Sequence, residues 1–270
     1  MINLSFHEMN FSFDNRDSTE FPIYIVHMES GMVNSEISGS RSLVYDKIPY
    51  KDSIYFYGTT TDTMKFSITI TPLERYWTEQ LKFDLFKWLG GRTPKAFRTC
   101  DFLGKMCYCI CTNAFVLTTN STKEGHQGYI DLEFEATTPY WLTEPEISTF
   151  DLSTITSPTT IILQNKSNVM NPKYNDYIFE PEMWIDLKDN NTGISITNIS
   201  DGGRTFSFTG LSELEQLYIN NDKKQIISST NNFRLSKFNK NWFRLTYGEN
   251  QLLVSGKCML QFKCQFPVYI

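Results

Sequence analysis

The apolar positions in the first half of the chain follow two different periods. Residues Thr63–Thr71 alternate strictly, with Met64, Phe66, Ile68 and Ile70 on one face and Lys65, Ser67 and Thr69 on the other. That is the period of a strand with one face in a core, and Pro72 closes it. The period then becomes helical. Phe83, Leu85, Phe86 and Leu89 recur at helical spacing, and Gly90–Gly91 stand where a helix end commonly takes a left-handed residue. Thr78 is the expected N-cap, so the helix is read as Thr78–Leu89.

Shorter runs complete this half. Phe21–Met28 is a strongly apolar strand, with Pro22 suited to its first positions or to an edge. Gly31–Gly39 is small and polar, and reads as a loop. Ile54–Tyr57 reads as a short aromatic strand ending at Gly58. Met106–Thr118 and Tyr129–Thr137 read as two further strands, split by turn residues at 120–125.

The stretches Thr143–Pro145 and Ser148–Thr160 are rich in Ser, Thr and Pro, as an extended connector would be. They divide the chain into 1–145 and 146–270. Beyond them come the short strands Ile161–Leu163, Met183–Leu187, Ile194–Ile199, Thr205–Phe208, Leu217–Ile219, Ile226–Ile227, Leu252–Val254 and Met259–Phe266. Gly193 and Asp201–Gly203 mark turns. About eight strands is the usual count for a two-sheet jelly roll.

Composition agrees. The 21 Phe, 14 Tyr and 5 Trp among 270 residues favour pleated, half-buried surfaces, so the fold class is mainly β. A net charge of −5 argues against nucleic-acid binding, which needs clustered Lys and Arg. All of the excess acid falls in residues 1–145, which carry 18 Asp/Glu against 13 Lys/Arg. Met1–Phe13 lacks the basic start and apolar core of a secretory signal, and no stretch approaches the ~20 apolar residues of a membrane span. Without a signal, the six Cys are expected to be reduced.

Little in the chain points to catalysis. Cys107, Cys109 and Cys111 share one face of a strand, opposite Tyr108 and Ile110. Structural zinc wants a longer gap and a second ligand pair, and neither Cys100 nor Cys258 and Cys264 supplies it locally; core packing is the simpler role. His7, His27 and His126 are scattered, without metal or triad spacing. Glu144 with Glu146, and Glu180 with Glu182, are the carboxylate pairs that a glycosidase could use, but both lie beside Pro in apparent connectors. No catalytic residue, cofactor or metal is therefore expected. Trp184, Tyr218, Trp242 and Tyr247 could form a sugar-stacking or partner-contacting platform, or serve the core. Asp131, Glu133 and Glu135 alternate with Ile130, Leu132, Phe134 and Ala136, giving a strand with one acidic face, ordinarily a solvated one.

The order of these elements resembles a known family. One helix ending in Trp88–Leu89 lies among strands, and the exit runs through Ala136–Leu142 with Pro139, Tyr140 and Trp141. This is similar to the N-terminal domain of phage distal tail proteins, which form the ring joining a long-tailed phage's tail tube to its tip. In the second half, Pro181, Trp184–Ile185, Gly193–Ile194, Phe206, Phe208, Gly210–Leu211, Leu217, Ile219 and Gly248–Gly256 occur in the order of that family's galectin-like domain. There Gly248 would supply a positive φ, Asn250 would bond its own turn, and Leu252 and Val254 would re-enter the core. The cysteine strand at 107–111 departs from the family pattern.

The resemblance implies a mainly β protein: an N-terminal β-sandwich with one embedded α-helix, then a galectin-like, jelly-roll β-sandwich. It implies a structural virion protein of the tail tip, assembled in the host cytoplasm as a homo-oligomeric ring, expected to be a hexamer. Residues 1–145 would form the ring and dock on the tail tube protein. A tail-associated hub protein would lie below and a receptor-binding protein at the side, with neither a membrane nor sequence-specific nucleic acid as partner. In such a ring Asp131, Glu133 and Glu135 would line the channel and repel DNA phosphates. A carbohydrate-binding module and, last, a wall-degrading enzyme are the alternatives.

Overall fold

The structure, a computed structural model, describes residues 10–26, 38–113, 115–122 and 125–270, without the side chains of 101, 120–122 and 125–126. His7, His27, the His126 side chain, the end of the expected strand at 27–28 and the expected loop at 31–37 lie outside that description. By contacts the chain divides into two compact units, Met1–Leu142 with Tyr269–Ile270, and Thr143–Val268.

The first unit comprises β1 (Phe11–Phe13), β2 (Arg16–Asp17), β3 (Ile23–Val26), β4 (Arg41–Asp46), β5 (Tyr55–Thr61), β6 (Lys65–Pro72), α1 (Glu79–Leu89), β7 (Lys95–Thr99), β8 (Lys105–Cys111), β9 (Leu117–Thr122), β10 (Gly125–Ala136) and β11 (Trp141–Thr143). Its main sheet runs β2-β1-β7-β8-β10-β6-β3, with β9 added to β10 and β11 to β8. The alternation read from sequence sets the register. Ile70 faces Ile130, Ile68 faces Leu132 and Phe66 faces Phe134, all buried on one side. Phe66, Phe97, Phe134 and Trp141 pack ring to ring there, with Phe66 and Phe97 centroids 4.8 Å apart. Cys107, Cys109 and Cys111 point into the same core, with Tyr108 and Ile110 opposite. Burial pushes the Cys109 thiol far above its ordinary range and Cys111 up to about 11.

The helix starts as expected: the Thr78 hydroxyl accepts from the Leu81 amide at 3.1 Å. Its faces differ from the reading. Leu81, Leu85, Trp88 and Leu89 are the buried residues, whereas Phe83 is 63% exposed and Phe86 47%. Trp88 decides the rotation. Its indole donates to the Phe13 carbonyl at 2.8 Å and stacks on Phe21 with centroids 4.5 Å apart. The helix end also differs, because Gly90 has φ −78° and ψ 16° and is not left-handed. Glycine is needed there for closeness instead, since a Cβ would come 2.6 Å from the Phe86 carbonyl oxygen.

Three further readings are corrected. Met106–Thr118 is not one strand but β8 and β9, because Phe115, at φ 43°, leaves the sheet to pack on Phe86 at 4.5 Å. Gly58 does not end its strand: β5 continues to Thr61, with a bulge opposite Val44 and Tyr45. Residues Glu146–Asp151 are not connector but a strand, paired along its whole length with the strand at Cys258–Cys264.

The second unit comprises β12 (Glu146–Asp151), β13 (Thr159–Asn165), β14 (Glu182–Leu187), β15 (Ile194–Asn198), β16 (Arg204–Phe208), β17 (Gln216–Asn220), β18 (Gln225–Ser228), β19 (Gly248–Ser255), β20 (Cys258–Cys264) and β21 (Pro267–Val268). One sheet runs β12-β20-β14-β17-β18 and the other β13-β19-β15-β16. Their inner faces enclose a core that includes Met183, Ile185, Ile196, Phe206, Leu217, Leu252, Leu260 and Phe262. This is the expected two-sheet sandwich. Gly248 has the anticipated positive φ, 81°. Asn250 is fully buried and bonds to its own turn: it accepts from the Thr246 amide at 2.9 Å and donates to the Thr246 carbonyl at 2.7 Å.

Candidate functional site

Three surfaces and one buried cluster hold the candidate residues. On the outer face of β10, Asp131, Glu133 and Glu135 stand opposite Thr69, Ser67 and Lys65 of β6. The Thr69 hydroxyl donates to Asp131 at 2.5 Å. Glu135 accepts from Thr63 at 2.8 Å and lies 3.3 Å from the Lys65 ammonium. These contacts hold the Glu135 carboxyl below the usual carboxylate range, the Thr63 hydrogen bond foremost. Asp131 is exposed and the two glutamates are half-buried, so the face is polar and anionic with one cation on it.

The second surface was not anticipated. Strands β4 and β5 form a separate two-stranded hairpin. Leu43, Val44, Tyr45, Tyr55, Phe56 and Tyr57 are all exposed along it, and Tyr50 at its tip is entirely so. An isolated two-stranded ribbon is marginal in water. Alternation gave no warning, since neither face is buried. The only local signal is the density of aromatic residues at 45–57.

The third surface is the outer face of the five-stranded sheet in the second unit. Trp184 and Tyr218 are cross-strand neighbours with ring centroids 5.1 Å apart, at the floor of an open groove of about 400 Å³. The other two aromatics read as platform residues make different contacts. Trp242 packs on Phe238 and carries the Lys224 ammonium 5.3 Å above its ring, while Tyr247 packs against Tyr177.

The carboxylates considered for catalysis are engaged. Glu180, whose side chain is only 3% exposed, is held by Lys173 at 3.0 Å, by Lys224, and by the Tyr174 hydroxyl at 2.6 Å. Burial alone would raise its carboxyl, but those three donors prevail and keep it below the ordinary value. It is therefore ionised at neutral pH, the wrong state for a general acid. Glu182 accepts from Tyr218 at 3.0 Å, and Glu146 pairs with Lys166 at 2.6 Å. Sequence reading missed Glu215, wholly buried and clamped by Arg234, by Ser228 and by the Ser212 amide. The Ser212-x-x-Glu215 spacing is the one local signal, and the charged partner Arg234 lies 19 residues away.

Two family profiles match in sequence. One, described as a phage tail protein N-terminal domain, matches residues 6–137, and another, described as a phage tail C-terminal domain, matches residues 143–264. The chain is a phage tail protein. No curated protein matches its sequence. Among solved structures, the tail protein is similar to SPP1 Dit, described as a paradigm of the hub adsorption apparatus in phages infecting Gram-positive hosts. That likeness has a TM-score of 0.64 at 11% identity, covering 96% of this chain and 99% of the other, and it shows a shared fold along the whole length. A component of the phage P2 baseplate in its calcium-activated conformation is also similar, with a TM-score of 0.48 at 12% identity, covering 95% and 98%. Among the tail protein's described residues no helix is long and apolar enough to cross a membrane.

Proposed function

We propose that this phage tail protein is a distal tail protein, a structural ring subunit that joins the tail tube to the tip and docks other components there. The observation that carries the reading is the pairing of the two family matches with the bare hairpin. A chain matched by phage tail domains over residues 6–137 and 143–264 carries, in its first unit, a two-stranded ribbon whose aromatic residues Tyr45, Tyr50, Tyr55, Phe56 and Tyr57 are all exposed. Burying those rings on the next copy would give the head-to-tail contact that a closed ring requires. Each aromatic buried in such a contact contributes about 2 kcal/mol, which makes these rings its main apolar contribution.

On this reading the ring is a hexamer, in the virion at the tail tip, assembled in the host cytoplasm. The first unit contacts the tail tube protein, and the tail-associated hub and receptor-binding proteins are further partners. The protein performs no turnover. Asp131, Glu133 and Glu135 face the channel, where an anionic wall keeps DNA from adhering.

The test is to replace Tyr45, Phe56 and Tyr57 together by Ser. All three are exposed, so the fold should survive. Light scattering should then give monomers where the parent protein gives rings. Unchanged rings in the triple variant would remove the hairpin from the assembly contact.

A further inference from the structure

The outer face of the β12-β20-β14-β17-β18 sheet contains side chains that neither the core nor the hairpin contact proposed above uses. Met183, Ile185 and Leu187 of β14 fill the core, so Glu182, Trp184 and Asp186 point outward. The register lines up two outward rows. Thr149, Gln261, Trp184, Tyr218 and Ile227 form the first, and Asp151, Met259, Asp186 and Gln216 the second. Of these, Gln261, Trp184, Tyr218, Ile227, Met259, Asp186 and Gln216 line the groove of about 400 Å³; Thr149 and Asp151 continue the rows on the edge strand β12. The Trp184 and Tyr218 rings are inclined by 49°, so they form a shallow trough open to solvent.

The polar groups around that trough have spare capacity. Neither the Gln216 nor the Gln261 side-chain amide has a partner among the described residues. Asp186 accepts from Lys188 at 2.6 Å through one oxygen and leaves the other open. Aromatic floor, planar amides and an unfilled carboxylate oxygen are the chemistry that recognises a pyranose. Its apolar C–H face lies on the rings, while its hydroxyls both donate and accept. A purely apolar partner would leave the amides and carboxylate buried without partners, which is costly. Asp151 and Asp186 stand on either side of Met259, so a polyanionic chain is disfavoured against a neutral one.

We infer that this face is a carbohydrate-binding groove, taking one sugar ring of a neutral glycan on Trp184 and Tyr218, with Gln216, Gln261 and Asp186 as hydrogen-bonding partners. The site lies within a single unit and does not depend on ring formation. Trp242 and Tyr247 are not part of it.

The test uses the full chain and saturation-transfer NMR with maltose, lactose and N,N′-diacetylchitobiose as probes. At least one should give signal, concentrated on the C–H protons of one ring. Trp184→Ala should weaken that binding roughly tenfold, in line with the worth of a well-placed aromatic contact. Gln261→Leu keeps the side-chain size and should also weaken it, with the melting transition unchanged for both variants. Binding that survives both substitutions would overturn the assignment. So would silence from all three disaccharides together with Trp184→Ala abolishing capture of a purified tail-tip protein, which would make the groove a protein-docking surface instead.

Discussion

Lys65 and Glu135 face each other across the β6–β10 ladder, ammonium to carboxylate 3.3 Å, on the opposite side of β10 from the buried Phe134 ring. Both side chains are substantially exposed, and an exposed pair of this kind contributes about 0–1 kcal/mol. The acidic face can therefore be rewritten with little effect on folding. If it lines a channel, replacing Asp131, Glu133 and Glu135 together by Lys should leave the melting temperature nearly unchanged. Assembled particles should then retain DNA on a filter, and added salt should release it. Absence of DNA retention by intact triple-variant rings would make this an ordinary solvated face.

Acid should destabilise the second unit through its buried carboxylates. Glu180 and Glu215 both have carboxyls held below the ordinary value; burial opposes this, but Lys224, Tyr174 and Lys173 on one and Arg234, Ser228 and the Ser212 amide on the other outweigh it. A depressed folded-state pKa stabilises above the unfolded-state value of about 4.3, and that stability is lost as pH falls through the folded value. Unfolding free energy should thus fall below pH about 4.5. The double variant Glu180→Gln, Glu215→Gln should be less stable at pH 7 and show a flatter acid limb in denaturant titrations.

Breaking one partner of the buried pair should cost more than any surface change. Arg234 and Glu215 side chains are 11% and 0% exposed. Arg234→Ala should destabilise by about 3–5 kcal/mol, because it strands the carboxylate. Lys65→Ala on the exposed pair should cost less than about 1 kcal/mol. Chemical denaturation of the two variants gives the comparison directly.

Thiol reactivity should divide by burial. Cys107, Cys109, Cys111, Cys258 and Cys264 are buried and Cys100 is exposed. Burial pushes the Cys258 and Cys264 thiols up to about 12, further suppressing thiolate. Titration with a chromogenic disulfide should modify one thiol in native protein and all six after unfolding.

Much of this was legible because alternation reports burial. Met64, Phe66, Ile68 and Ile70, and the inner faces of β14, β17, β19 and β20, read directly as core. The same rule fails where nothing is buried. The β4–β5 hairpin has apolar residues exposed on both faces, and β12 is an edge strand whose Ile147 is exposed and whose Ser and Thr resemble a linker. On the helix, periodicity located the apolar residues but left two rotations open. The Trp88 contact with Phe13, 75 residues away, chose the one that leaves Phe83 and Phe86 outside. Of the aromatics read as a platform, only Trp184 and Tyr218 meet, because pairing of β14 with β17 is a fact of topology rather than of spacing.

The central claim is that the chain closes into a ring. Electron microscopy of the purified protein tests it most directly. The expected images are uniform rings with an open centre and six-fold symmetry, abolished by the Tyr45, Phe56, Tyr57 triple substitution. Particles that remain single subunits at every concentration, with no central hole, would contradict the account.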